Sequence, residues 1–99
     1  MVARLTRTAQ RQRTAILKYR ADVAGRRSAS ELRQEFRNAV ELIGGWSPPG
    51  ASRTDLASAE YRFVLVKPYW VIWRFDENGD RVIVAFVDAR RDIGSMKFG

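Results

Sequence analysis

From residue 7 to residue 43 the apolar positions recur every three to four residues, and from residue 61 to residue 87 they gather into short dense runs. The first pattern is helical and the second is that of strands. Thr6 offers a hydroxyl to cap a helix beginning at Arg7. Ala9, Ile16, Tyr19 or Arg20, and Val23 fall on its inner stripe, and Gly25 supplies a stop. Ser28-Ala29-Ser30-Glu31 has the spacing of a capping box for a second helix. Leu32, Phe36, Ala39, Val40 and Ile43 continue it, and Gly44-Gly45 ends it. So short a separation predicts an antiparallel helical hairpin. Val2 to Leu5 is compatible with a strand. Residues 44–58 are rich in Gly, Pro and Ser and predict a loop, with Trp46 stapling it to the core. Strands are predicted over 61–66, 69–75 and 81–87. Lys67-Pro68 makes the first turn, and a hairpin at 76–80 draws positive φ from Asn78-Gly79. Residues 88–99 form a polar tail. The predicted fold is α+β, with element order β-α-α-β-β-β: an N-terminal strand, an antiparallel helix hairpin, then a three-stranded antiparallel meander. These elements form one small sheet of about four strands with helices on one face.

The middle strand, within "KPYWVIWRF", raises a packing problem. Tyr69, Val71, Trp73 and Phe75 share one side, and Trp70 and Ile72 the other. In the last strand Val82, Val84 and Phe86 oppose Ile83, Ala85 and Val87. In the first, Tyr61, Phe63 and Leu65 oppose Arg62, Val64 and Val66. Both faces are apolar, yet two helices cover one. Large exposed apolar patches are rare on monomers. A partner chain is therefore the expected cover for the second face. The alternative is that the 44–58 loop and the tail fold across it.

Composition narrows the chemistry. Ninety-nine residues, 45% of them hydrophobic, make one domain spanning 1–99. There is no cysteine and no histidine, hence no disulfide, no thiolate metal site and no Ser-His-Asp triad. No apolar run of about 18 residues and no signal peptide are present, so a soluble, cytoplasmic protein without a membrane role is expected. The net charge is +7, with 15 Arg against 3 Lys. Residues 1–50 carry ten basic and four acidic residues; residues 51–99 carry eight and seven. Such a field favours an acidic partner: nucleic acid, a machine bound to it, or an acidic protein. No Gly-rich phosphate loop or convergent carboxylate set occurs, and neither cofactor nor metal is expected. The distinctive side chains are arginines near aromatics: Arg62, Arg74, Arg90 and Arg91 beside Tyr61, Tyr69 and Trp70. That pairing grips phosphates or anchors protein interfaces.

"RLTRTAQ" leading into the first helix, "FRNAVELI" closing the second, and "YRFVLVKPYWVIWRFDENGDRVIVAFVDARRD" together resemble the ParE/RelE superfamily of toxins from bacterial type II toxin–antitoxin modules. The resemblance spans nearly the whole chain. The 44–58 loop departs from the shorter P-x-x-G connection usual in the family, and Asp88 stands where the family often has histidine.

RelE-like members cleave messenger RNA on the ribosome with basic residues and a tyrosine. By position Arg62 and Arg91 match two of those roles. Val64 and Trp70 replace two others, and the tail lacks a tyrosine. ParE-like members inhibit DNA gyrase without a catalytic set. The "KPYWVIWRF" strand and "DARRD" end resemble that branch more closely. The resemblance therefore implies a non-enzymatic gyrase inhibitor causing growth arrest or plasmid stabilisation. Its target would be gyrase, through the A subunit, with DNA reached indirectly, and a ParD-like antitoxin would neutralise it. Arg90, Arg91 and Lys97 are the candidate gyrase contacts. Trp70, Ile72, Arg62, Arg74, Leu17 and Arg20 are the candidate antitoxin contacts. The alternatives are a ribonuclease, or an inactive member acting only in an antitoxin complex.

Overall fold

The computed structural model describes residues 2–96. Strand β1 (Arg4–Leu5) leads into helix α1 (Arg7–Ile43), followed by β2 (Ala51–Ser52), β3 (Arg62–Val66), β4 (Tyr69–Phe75) and β5 (Arg81–Asp88). A 3-10 turn, Ile93–Ser95, follows. The sheet order is β1-β5-β4-β3-β2. β1 runs parallel to β5 and every other pair is antiparallel, so the sheet is mixed and has five strands. The fifth strand is β2, a two-residue edge inside the segment expected to be loop.

Helix α1 is a hairpin. A straight 37-residue helix would be about 55 Å long, whereas the longest dimension of the molecule is 39 Å. The break is one residue, Gly25, at φ 90° and ψ 167°. A side chain there would be strained, which is why glycine makes the turn alone. The second arm resumes at residue 26, so Ser28 does not cap it. Ser28 Oγ instead accepts a hydrogen bond from the Arg20 guanidinium at 3.3 Å, tying the arms together. The Thr6 cap forms as expected, its Oγ accepting from the Ala9 N–H at 3.1 Å. Gly44 closes the helix, its N–H donating to the Val40 carbonyl at 3.0 Å.

The second arm buries Leu32, Phe36, Ala39 and Ile43 of the predicted stripe and Ala29 besides, while Val40 is only half-buried. The first arm differs: Ala9 and Leu17 are buried, while Tyr19 and Val23 stand 62% and 61% exposed. Its inner face also includes Gln12, whose Oε1 accepts from the Phe86 N–H at 2.9 Å and seals the outer edge of β5.

The two sheet faces support separate cores. On the helix side Tyr69, Val71, Trp73, Ile83 and Phe86 pack against the arms. Phe36 meets Tyr69 and Phe86 edge-on, at 5.7 and 5.0 Å between centroids. On the far side lie Phe63, Ile72, Val82, Val84, Ala85 and Val87. Strict alternation would put Ile83 and Phe86 on opposite faces. A register shift between Ile72 and Trp73 inserts an extra residue in β5 and places them together. The 76–80 hairpin also differs from a two-residue turn. Among the described residues only glycines have positive φ, so Gly79 (φ 79°) alone supplies it, and Asp76 Oδ1 accepts from the N–H groups of Asn78 and Asp80.

The far face is covered from within the chain, not by a partner. Ile93, 2% exposed, lies in its core, and Leu56, Ala57, Tyr61 and Met96 pack around it. The loop and tail supply the layer that the helices cannot. Trp46 takes no part in it: the side chain is fully exposed, and the loop is anchored by Pro49 instead, whose carbonyl accepts from Trp73 Nε1 at 3.0 Å.

Candidate functional site

Where β5 ends, the chain turns on Asp88. Its Oδ1 accepts from the Arg90 N–H at 2.8 Å and from Arg90 Nε at 3.0 Å, and its Oδ2 accepts from the same guanidinium at 2.7 Å. The Arg91 N–H donates to the Asp88 carbonyl at 3.0 Å, and the Ala89 N–H to the Pro68 carbonyl at 2.9 Å. The Arg90 fork, then its backbone amide, hold the Asp88 carboxyl well below the ordinary range, at about 2. Arg90 is correspondingly raised by that carboxylate, with Tyr69 and Tyr19 near enough to add to the effect. Arg20 sits 6.0 Å from the Tyr69 ring centroid. Residues distant in sequence thus meet at one end of the sheet: Tyr19 and Arg20 from the first arm, Tyr69 from β4, Arg90 and Arg91 from the turn after β5. Arg90 is neutralised by Asp88, while the exposed Arg91 side chain makes no hydrogen bond or ion pair among the described residues. The third cation predicted here, Lys97, lies outside the described residues.

A second cationic feature lies between the helix arms. A groove of about 1000 Å³ has Leu17, Ala21, Ala29 and Val40 on its floor. Arg13, Lys18, Arg26, Arg33 and Arg37 surround it, with Glu41 the one carboxylate, so five positive charges less one negative leave +4. None of the five cations has an ion-pair partner among the described residues. Of the sequence-predicted residues only Leu17 lines this groove, and Arg20 lies beside it. The groove cations were missed, although Arg26, Arg33 and Arg37, at i, i+7 and i+11 with Ala29 and Val40 between and after them, mark one flank of a helix.

The other predicted contacts do not converge. Ile72 is fully buried under the tail and has no surface to offer a partner. Trp70 is half-buried on that far face, edge-on to Phe63 at 5.5 Å, with the Arg53 guanidinium 5.6 Å from its ring centroid. Arg74 donates to the Phe75 carbonyl at 3.1 Å. Arg62 is half-buried on β3, opposite Trp73. Arg91 follows Asp88, which pairs with Tyr69 four residues further along β4. Arg62 and Arg91 therefore sit at opposite ends of the sheet, roughly 13 Å apart along the strand, and form no common basic cluster.

This arrangement, a helix hairpin on one face of a sheet whose last strand ends in a charged turn, has known counterparts. The family described as the ParE toxin of the type II toxin–antitoxin system, parDE, matches residues 3–93. The chain belongs to the ParE toxin family. Among solved structures, a chain of the chromosomal ParDE TA system from P. aeruginosa superposes with a TM-score of 0.72 at 20% identity, over 89% of this chain and 95% of that one. That likeness is one of fold. Among curated proteins none matches the chain in sequence. No helix among the described residues is long and apolar enough to cross a membrane.

Proposed function

We propose that this ParE-family chain inhibits bacterial DNA gyrase by binding it, and that a ParD-like antitoxin neutralises it by occupying the helix groove. The family match over residues 3–93 carries the reading. The site geometry supports a binding mechanism. Arg91 is an exposed cation on a turn fixed by backbone and side-chain bonds, so it meets a target surface with little ordering cost. Arg90, already paired, shapes that turn. The inhibitor holds gyrase with its DNA cleaved and needs no acid, base or nucleophile of its own.

The groove suits an acidic amphipathic helix. Its floor takes an apolar stripe, and its unpaired cations take flanking carboxylates. Outside Val64–Val66 of β3 no strand pairs among the described residues, which leaves an edge for an extended antitoxin tail. Trp70 borders that side of the sheet.

A supercoiling assay with purified protein, gyrase, relaxed plasmid and ATP tests the reading. Loss of supercoiling, with linear DNA released on denaturation, is expected. Arg90→Ala with Arg91→Ala should restore supercoiling while the circular dichroism spectrum stays that of the wild type. Unimpaired gyrase with the wild-type chain, together with cleaved messenger RNA after its induction, would replace gyrase by the ribosome as target.

A further inference from the structure

The end of the molecule opposite Arg90 has a different character. Trp46 is fully exposed, 101% of its reference area, Leu42 is 60% exposed and Phe75 46%. Contacts beneath them place the three at one end of the molecule. The Arg81 guanidinium donates to the Gly44 carbonyl at 3.2 Å and lies 6.0 Å from the Phe75 ring centroid, joining the end of the helix to the end of β4. Trp46 lies between Gly44 and Pro49, and the Pro49 carbonyl is held by Trp73, whose ring is edge-on to Phe75 at 5.0 Å. The loop is therefore not free to fold Trp46 inward. Gly50, at φ 114°, has Trp73, Val64 and Arg62 atoms 3.2–3.3 Å from where a Cβ would lie, so a side chain there would be strained in its backbone and pressed against the sheet.

Charge singles out this end as well. The chain carries +7, yet the strand ends, the hairpin and the last helical turn here hold Arg4, Arg62, Arg74 and Arg81 against Glu41, Asp76, Glu77 and Asp80, four of each sign. Arg4 and Asp76 are paired at 3.2 Å. An acidic or polyanionic partner is drawn to the groove and to Arg91, not here. A second copy of the chain is repelled by both cationic regions and meets no net charge at this end. Apolar area without net charge on an otherwise strongly positive molecule fits a copy of itself.

We infer that the chain self-associates as a two-fold dimer through Trp46, Leu42 and Phe75. The three side chains expose roughly 400 Å² of apolar area. With neighbouring backbone, a symmetric pair buries about 1,000 Å² in total, near the lower limit of specific interfaces. The dimer is accordingly weak, with Kd in the range of roughly 10–100 μM. Its salt response is diagnostic: screening of the repelling positive fields tightens it, whereas an interface built on Arg–carboxylate pairs loosens.

Sedimentation equilibrium on the full chain over roughly 5–500 μM, in about 0.05 M and about 0.5 M salt, tests this. Reversible dimerisation that tightens several-fold in the higher salt is expected. Trp46→Ala should raise Kd at least tenfold without altering the fold, since the side chain touches nothing it would leave empty. Leu42→Glu should do the same, and Lys67→Ala should change nothing. A monomer at every concentration overturns the inference, as does a dimer that both variants leave intact. Trp46 emission that shifts only when an antitoxin protein is added assigns the patch to that partner, and also overturns it.

Discussion

The two faces of the sheet are almost equally apolar, yet they are covered in different ways. The helix face receives a continuous stripe from a 37-residue element, and Phe36, Ile43, Val71 and Ile83 are all 1% exposed or less. The far face is covered by fragments: Leu56 and Ala57 from a loop, Ile93 and Met96 from the tail. A helix fixes many core residues through one set of backbone bonds. A loop and a 3-10 turn must each be held separately, here by bonds such as Arg53 to Asp55 (2.9 Å) and Arg90 to Asp88. Equal hydrophobicity therefore does not imply equal local stability. The helix face should open only with global unfolding, and the far face in local steps.

The largest effect is expected from Phe36→Ala. Phe36 is 1% exposed and touches two aromatic rings, so its truncation should cost about 4 kcal/mol. That is a large part of the total stability of a domain. A urea midpoint close to wild type would show that the helix face is not the dominant core. Ile93→Ala should cost about 2 kcal/mol, because the short covering segment can settle into part of the space. Hydrogen exchange should then quicken at residues 53–57 and in β3 while α1 keeps its protection. Uniform quickening would mean that the two faces unfold as one. Gly25→Ala probes the hairpin that lets α1 cover its face. Nothing lies within 4 Å of the added Cβ, so the cost, on the order of 1–3 kcal/mol, is backbone strain alone. Thermal unfolding measures it, and an unchanged midpoint would mean that the turn relaxes freely.

The smallest effect is with pH, on the turn that leads into the far-face cover. Asp88 falls from its ordinary value of 3.8 to about 2 in the folded chain, through the Arg90 side chain first. Asp76 is lowered as well, mainly by the Asp80 N–H. A carboxyl with a depressed folded pKa stabilises the fold above its unfolded pKa, and that contribution is lost as pH falls through the folded value. Stability should therefore hold from neutral pH down to about 4 and decline toward pH 2. In Asp88→Asn the decline should shrink. An identical acid profile in that variant would remove Asp88 from the account.

How much of this was legible depended on the range of the interaction. Leu32 through Ile43, Thr6 as cap, Gly25 as stop and the three-stranded meander follow from local spacing, and all stand where expected. The errors are tertiary. One inserted residue near Val84 turned half a strand over, and no local pattern announces a bulge. Trp46 reads as core by composition, but Pro49 and Trp73 fix its loop so that the ring points to solvent. The cover of the far face came from Ile93, one apolar residue in a polar tail, whose partners lie in strands and loop. At the candidate site, Arg90 and Arg91 were visible as a motif. The bidentate hold of Asp88 on Arg90, which leaves Arg91 as the open cation, required coordinates. The groove cations were readable at helical spacing but carried no motif.

The hydrogen bond from the Phe86 amide to Gln12 has a consequence for how molecules of this kind can stack. On that side the sheet ends in a two-residue stub, β1, and a glutamine amide occupies the next donor along β5. Among the described residues the β3 side, unpaired over Val64–Val66, is the edge open to a foreign strand. Fibril growth by edge-to-edge addition needs two open edges on every molecule, one to be captured and one to capture the next. With one edge sealed, any strand laid against β3 terminates the array. A short, capped edge on one side and an open edge on the other thereby work against growth of the chain into its own polymer.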